Sequence, residues 1–361
     1  MTPRLALVLG GGALKGFAHI GALRALAEHG VAPTVLAGSS IGALVAAAAA
    51  GGMDVATMAE RALALRRKDL FRINHRGMLF DRMQSRSIYL EAPLRALCDH
   101  VVPAGTFAEL GTRLLVTSVD VERGAEVVWG APGLRDVSIR DAVYASCALP
   151  GFFPPGRVGG RTCIDGGTTD NLPVAIAALN ADAVIAVDVG ISDVPSAEGM
   201  GEQGFATVYM RAATLMMHTL QSRSLERWSG PPMLLVRPRV SHISWFSFHH
   251  TAQLLEAGYE AMRSALRDLD TVLSASGGVY PRRSVTLRVD GDRCVGCGLC
   301  VALAPHLVAL DARGKAFATT PKLEWSPADG AFVRQCPVDA IRVEEDGVRG
   351  GHRPRTMTHY R

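Results

Sequence analysis

Gly38-Ser39-Ser40-Ile41-Gly42 stands between an apolar run, Thr34-Val35-Leu36-Ala37, and an alanine-rich segment, Ala43-Leu44-Val45-Ala46. The order reads as strand, tight turn, helix. Gly-x-Ser-x-Gly at such a turn is the pattern of a nucleophile elbow, in which small flanking residues let the backbone turn sharply and lift the serine hydroxyl clear of the sheet. Ser40 is therefore the candidate nucleophile, next to a helix N-terminus. Alone the motif is weak, because glycine and serine are common in ordinary turns.

A second glycine-rich stretch, Gly10-Gly11-Gly12-Ala13-Leu14-Lys15-Gly16, follows the apolar run Arg4 to Leu9 and leads into a helix with Phe17, Ile20, Leu23 and Leu26 on one face. A phosphate-binding P-loop would need lysine after the second spaced glycine, where Phe17 stands, and the dinucleotide fingerprint fails at Ala13 or Lys15. The remaining reading is an oxyanion hole, with backbone N–H groups of Gly11, Gly12 and Ala13 aimed at the charge of a tetrahedral intermediate. Cys163-Ile164-Asp165-Gly166-Gly167 supplies a third piece, an aspartate at a strand end with two glycines that allow close backbone approach. A plain Asp-Gly turn is the alternative. The serine and glycine motifs upstream favour an active-site role.

Taken in order, these motifs resemble those of bacterial patatin-like phospholipases over residues 5 to about 270. Gly10 to Gly16 matches the oxyanion loop, with Lys15 and Gly16 as its supporting residues; Gly38 to Gly42 matches the elbow; Asp165 to Gly167 matches Asp-Gly-Gly. Asn171-Leu172-Pro173 and Ala145-Ser146-Cys147-Ala148-Leu149-Pro150 also fit, whereas Ala13 stands where many members carry glycine. The resemblance implies a three-layer α/β/α fold and a Ser40–Asp165 dyad that cleaves acyl esters of lipids, of phospholipase A or lysophospholipase type. An ordinary carboxylate is a weak base for a serine hydroxyl, so burial must raise its proton affinity and the oxyanion hole must supply much of the rate. The rival within the same chemistry is a Ser-His-Asp triad through His218, His249 or His250.

Seven cysteines divide into two sets. Cys98, Cys147 and Cys163 are scattered in apolar or helical contexts and read as core thiols, whereas Cys294-x-x-Cys297-x-x-Cys300 with Cys336-Pro337 is nearly the bacterial ferredoxin pattern. Ala304 occupies the position of the cysteine that would serve a second cluster. The segment from 284 to about 346 thus resembles a single-cluster bacterial ferredoxin, which implies a [4Fe–4S] cofactor held by those four cysteines. Structural zinc is the lesser alternative, since it favours C-x-x-C pairs over this triple.

Elements must carry these motifs to one place. The pattern continues through strand 113–121 with hairpin partner 126–129, a helix over 139–147 capped by Ser138, strand 183–189, a methionine-rich helix from Phe205 to about Trp228, strand 234–236 and a helix over 251–269. Pro150, Pro154 and Pro155 keep the segment after Cys147 out of helix, as packing or as one wall of an acyl pocket. Residues 53–97 read as helices broken by a polar turn at Asn74-His75-Arg76-Gly77. Met210, Met216, Met217, Trp245, Phe246 and Phe248 suit either the core or a lipid-facing surface. The expected organisation is an α/β domain over 1–273, a linker over 274–283, a small α+β ferredoxin-like domain over 284–346 and a basic, disordered tail over 347–361.

At 361 residues and 48% hydrophobic content the chain can bury a large core. Its formal charge of +4 is too slight to indicate nucleic acid, although the basic residues are nearly all arginine. The apolar stretch from Val31 to Met53 is interrupted by Pro33 and Gly38 to Gly42, so it reads as buried strand and helix rather than a membrane span. With no secretory pattern before the first strand, the expectation is a cytoplasmic protein, peripheral at the inner membrane face, that meets lipid surfaces transiently and a redox partner through its cysteine domain. Two readings follow: a lipid acyl hydrolase whose cluster regulates or stabilises it, and an electron-transfer protein using the larger domain as a lipid- or partner-binding platform. Acyl transfer and thioester cleavage could use the same serine.

Overall fold

The computed structural model describes residues 3–75, 87–190, 199 and 202–345. The chain divides into two compact units, the first ending at Gly278 and the second starting at Val279, with Leu225–Trp228 grouped with the second.

The first unit is built on β1 (Leu5–Leu9), β2 (Val35–Ser39), β3 (Arg113–Asp120), β4 (Ala125–Trp129), β5 (Gly156–Val158), β6 (Arg161–Asp165), β7 (Ala183–Val187) and β8 (Met233–Val236). They hydrogen-bond in the order β5-β6-β3-β2-β1-β7-β8, with β4 also on β3. The pairs β1–β2, β1–β7, β2–β3 and β7–β8 are parallel, while β4 and β6 run antiparallel to β3. Every residue of β1, β7 and β8 is buried, which is why these strands read as unbroken apolar runs rather than alternating ones.

Among the described residues this part of the chain has the α-helices α1 (Ala18–Glu28), α2 (Ile41–Ala50), α3 (Val55–Ala64), α4 (Arg67–Leu70), α5 (Glu91–Val101), α6 (Ile139–Cys147), α7 (Val174–Ala177), α8 (Phe205–Glu226), α9 (Thr251–Ala265) and α10 (Leu269–Ser274). Helix α2 is buried from Ile41 to Ala48, so its alanines serve close packing and the stretch is no membrane span. Among the described residues no helix is long and apolar enough to cross a membrane. Asp54 caps α3 by accepting the Thr57 N–H at 2.9 Å, and Ser138 caps α6 by accepting the Asp141 N–H at 3.2 Å. Between α4 and α5 the chain forms a bridge, Ile73 with Tyr89, so residues 53–97 are not wholly helical; Arg76 and Gly77 of the expected turn lie outside the described residues.

The second unit contains β9 (Val279–Tyr280), β10 (Arg283–Val289), β11 (Val308–Leu310), β12 (Ala316–Ala318), β13 (Lys322–Trp325) and β14 (Ile341–Glu345), with α11 (Leu299–Leu303) and α12 (Ala331–Arg334). Strand β10 lies between antiparallel β13 and β14, and β11 pairs with β12. Alternate residues Val285 and Leu287 point inward to a small core with Val308, Trp325, Phe332 and Ile341. The segment expected as a linker, 274–283, is partly regular: Ser274 closes α10, Val279 and Tyr280 form β9, and Arg283 opens β10. The tail, 347–361, lies outside the described residues.

Candidate functional site

Strand β3 sets the distance between the serine and the aspartate. Along one edge it pairs with β2 as far as Thr117, opposite Ser39, and from Ser118 it pairs with β6, opposite Asp165. Strand β4 pairs with Val116 to Asp120 as well, so it occupies the other edge, and β2 and β6 lie end to end along the first. The nucleophile elbow and the aspartate therefore meet head-on, registered by two consecutive residues, Thr117 and Ser118.

Ser40 leaves β2 with φ 54° and ψ −128°, a conformation that residues with a Cβ rarely adopt and that marks the strained turn of an elbow. Its hydroxyl donates to Asp165 Oδ2 at 2.6 Å, and Asp165 Oδ1 accepts the Gly167 N–H at 2.8 Å. Asp165 is 4% exposed, and burial pushes its carboxyl up from 3.8 to about 6 against the opposing effects of the Ser40 hydroxyl and the Gly167 amide. Gly42 is required by the crossing of α2 over β1, because a Cβ there would run into the Leu9 carbonyl.

In the glycine loop, the Gly11 N–H donates to the Asn171 carbonyl at 3.0 Å. That engagement takes Gly11 out of the expected set of oxyanion donors. Among the described residues the N–H groups of Gly12 and Ala13 have no partner. Ala13 holds φ 48°, the left-handed region that glycine enters without penalty and alanine enters at about 1 kcal/mol. Lys15 is buried in the short turn that follows, and Gly16 sits against Ile41, where a Cβ would strike that side chain.

Ser40 and Asp165 open on an apolar cleft of roughly 810 Å³ counted with its mouth, the glycine loop on one side and Leu70, Phe71, Leu94, Phe153 and Trp245 around it. Leu149 and Phe153 place the proline-rich segment on the wall. Of the residues left open between core and surface, Met217, Trp245 and Phe246 line the cleft, and Met216 is exposed.

Among the described residues no histidine lines the cleft. His250 shares a hydrogen bond with Ser247 at 2.6 Å, and the Ser40 hydroxyl is engaged by Asp165 instead. Three supporting residues were given no role by type or spacing, although Ser146 and Asn171 stand in segments named above. Ser146 Oγ accepts the Ser40 N–H at 2.9 Å. The Asn171 side chain donates to the Gly11 carbonyl at 3.2 Å and to Gln221 at 3.1 Å. His19, fully buried, donates from Nε2 to the Gly10 carbonyl at 2.7 Å, and burial pulls it down from 6.5 to about 4, so it is neutral at pH 7. His19 lies one helical turn beyond the loop, and its burial was the only signal, invisible before folding.

In the second unit, Cys294, Cys297, Cys300 and Cys336 line one small pocket together with Gly296, Gly298 and Pro337. Two of the sulfurs accept backbone N–H groups, Cys294 from Ala316 at 3.4 Å and Cys336 from Ala340 at 3.3 Å, and the Lys315 ammonium holds the Cys294 carbonyl. Among the described residues no three His, Cys, Asp or Glu side chains are grouped as ligands of one metal ion. Four thiols around an apolar pocket, with N–H groups on two of the sulfurs, fit a polynuclear iron–sulfur cluster, whose irons each take one thiolate.

Comparison with known proteins agrees with this division. Residues 7–178 match the family model "Patatin-like phospholipase" and residues 287–343 the model "4Fe-4S single cluster domain". An uncharacterized NTE family protein of Mycobacterium tuberculosis is 38% identical over 196 residues, which is 53% of this chain and 51% of that protein. Lysophospholipase NTE1 of Phaeosphaeria nodorum is 28% identical over 304 residues, 73% of this chain and 18% of its own. The chain thus spans about half the length of its mycobacterial relatives. Among solved structures, VipD from Legionella pneumophila shares 15% identity with a TM-score of 0.38 over 74% of this chain and 67% of its own, a remote likeness. Both matched segments contain the residues described above, Ser40 and Asp165 in the first and the four cysteines in the second: the chain carries a patatin-like phospholipase domain followed by a 4Fe–4S single-cluster domain.

Proposed function

We propose that the larger domain is a serine acyl hydrolase that cleaves lipid acyl esters, of phospholipid or lysophospholipid type, through a Ser40–Asp165 dyad. The observation that carries this reading is the 2.6 Å hydrogen bond from the Ser40 hydroxyl to a buried carboxylate, with no histidine among the described residues lining the apolar cleft on which they open. As Ser40 Oγ attacks the ester carbonyl, its proton passes to Asp165 Oδ2, and the oxyanion that forms is received by the N–H groups of Gly12 and Ala13. Asp165 returns the proton to the departing alcohol, leaving an acyl-serine. Water then repeats the sequence, giving its proton to Asp165, and the fatty acid leaves as Ser40 is reprotonated. Asn171 and His19 hold the loop through the carbonyls of Gly11 and Gly10.

Cys294, Cys297, Cys300 and Cys336 would hold the [4Fe–4S] cluster, which when bound supplies one-electron chemistry and ties together the loop and the end of α12. Ester hydrolysis needs no electron, so the cluster serves a regulatory or structural purpose in this reading. The test is a fluorophosphonate probe followed by hydrolysis of defined phospholipids. Labelling at Ser40, lost in Ser40→Ala, together with release of fatty acid supports the proposal. Folded, cluster-loaded protein that is neither labelled nor active on any ester would instead favour the larger domain as a binding platform.

A further inference from the structure

The turn between β11 and β12 grips one cysteine at two points. Leu310 pairs with Ala316 across the hairpin, the Asp311 N–H donates to the Lys315 carbonyl at 2.8 Å, and the Asp311 carboxylate accepts the Arg313 and Lys315 N–H groups at 2.9 and 2.8 Å. Those bonds fix the turn, and its exit lies on the cysteine loop. The Ala316 N–H donates to Cys294 Sγ at 3.4 Å, and the Lys315 ammonium donates to the Cys294 carbonyl. Gly296 holds φ 73°, and a Cβ there would strike the Gly314 carbonyl, so turn and loop meet backbone to backbone.

Charge sets Lys315 apart within this turn. Among the described residues its ammonium meets no carboxylate, because Asp311 is taken by the Arg313 guanidinium at 3.3 Å and by the backbone N–H groups. The pocket that the four cysteines share is otherwise apolar, and among the described residues lining it none is Asp, Glu, Lys, Arg or His. Asp292 and Arg293, which precede Cys294, are exposed and of opposite sign. The Lys315 ammonium is thus a cation pinned to the backbone of a candidate ligand, beside a pocket with no charged side chain other than its thiols.

An iron–sulfur group held by four thiolates becomes more negative by one charge on reduction, and net charge and hydrogen bonds to the sulfurs are what set its potential. A cation held close by, at the edge of an apolar pocket, stabilises the reduced form more than the oxidised one. Resting on the cluster reading, we infer that Lys315 sets the reduction potential of the second domain, raising it for the group that Cys294, Cys297, Cys300 and Cys336 would hold. One electron enters from a one-electron carrier, no bond is made or broken, and the positive charge of Lys315 offsets the added negative one.

The experiment is a potentiometric titration of the full-length, cluster-loaded protein with dithionite and redox mediators, read by visible absorbance and by electron paramagnetic resonance of the reduced state. Lys315→Met and Lys315→Gln, which remove the charge and leave the Ala316 N–H in place, are expected to shift the reduction equilibrium about tenfold toward the oxidised form, a lowering of about 59 mV. Lys315→Arg keeps the charge and should stay close to wild type, while Lys315→Glu should fall below the neutral variants. Arg313→Met, a change to the exposed cation paired with Asp311 in the same turn, should move the potential far less than Lys315→Met. Neutral variants with the wild-type iron content and potential would overturn the inference, as would an Arg313→Met shift as large as that of Lys315→Met. Neutral variants that lose their iron would also overturn it, since Lys315 would then anchor the loop rather than set a potential. Wild-type protein that carries no iron when purified without oxygen would instead count against the cluster itself, so the two failures are told apart.

Discussion

Ser40 Oγ and Asp165 Oδ2 lie 2.6 Å apart across 125 residues of sequence. That separation is set by β3, whose consecutive residues Thr117 and Ser118 face Ser39 and Asp165. A contact fixed by strand register does not depend on a flexible side chain finding its partner. Its chemistry depends on the protonation state of the carboxylate.

Burial pushes Asp165 up to about 6, and a general base must be ionised to accept the serine proton. On a soluble ester, kcat/KM should therefore be flat above about pH 7 and fall about tenfold per unit below pH 6. A profile measured from pH 4.5 to 9 checks this. A limb centred near pH 4, or a plateau unaffected by acid, would remove Asp165 as the base.

The same displacement bears on stability. Since the folded value, about 6, exceeds the ordinary 3.8, the contribution of this group is fully present below pH 4 and is lost as pH rises through 6. At pH 7.5 the buried charge costs on the order of 2 to 3 kcal/mol. Asp165→Asn can keep the Gly167 and Ser40 hydrogen bonds without a charge. It should abolish turnover and raise Tm by several degrees at pH 7.5, with the gain disappearing by pH 4. Calorimetry at both pH values decides the matter; equal stability of the two proteins at pH 7.5 would contradict it.

The candidate serine and its glycine neighbours were legible because their backbone requirements restrict which amino acids can be used. Gly42 must let Leu9 pass, and Ser40 needs small neighbours at a strained turn. The α/β character of the larger unit was equally visible in the buried apolar runs of β1, β7 and β8. Ser146 and Asn171 stood in segments that fit the resemblance, but what they support was hidden because their partners are distant in sequence. Ser146 reaches back 106 residues to the Ser40 N–H, and Asn171 reaches 160 residues to Gly11. Gly11 was misjudged as an oxyanion donor for the same reason, since its amide partner, the Asn171 carbonyl, belongs to a distant loop.

Strain at the elbow gives a prediction that separates function from folding. With φ at 54°, Ser40→Ala removes the hydroxyl but retains the unfavourable backbone, whereas Ser40→Gly removes both. Neither should turn over ester, and the glycine variant should be more stable than the alanine variant by about 1 kcal/mol. Urea titration of the two inactive proteins measures the difference. An alanine variant as stable as the glycine one would mean that the turn relaxes.

His19 is a positioning residue, neutral and fixed on the Gly10 carbonyl at 2.7 Å. His19→Leu leaves that buried carbonyl without its donor at a cost of about 1 to 3 kcal/mol, and lets the adjoining Gly12 and Ala13 amides drift from the oxyanion. The expected result is a fall in kcat of at least about tenfold with little change in KM. His19→Gln, which offers an N–H at similar reach, should recover most of it. A rise in KM alone, or no rescue by glutamine, would assign His19 to packing.

Seven cysteines allow the cluster assignment to be tested against internal controls. Burial pushes the Cys98 thiol up to about 12 and holds Cys147 well above its ordinary range, so both stay protonated and make poor ligands. Cys294, Cys297, Cys300 and Cys336 instead share one pocket, with backbone N–H groups on two of the sulfurs that stabilise thiolate charge. Protein purified without oxygen should carry about four irons and four acid-labile sulfides per chain and absorb broadly in the visible. Alanine at any of the four should remove most of the iron, while Cys98→Ala, Cys147→Ala and Cys163→Ala should keep it. Serine labelling by a fluorophosphonate in the iron-free variants then reads whether the hydrolase site depends on the cluster. Retention of iron in a Cys297→Ala protein would point to a smaller cluster, and zinc in place of iron would remove one-electron chemistry from the second domain altogether.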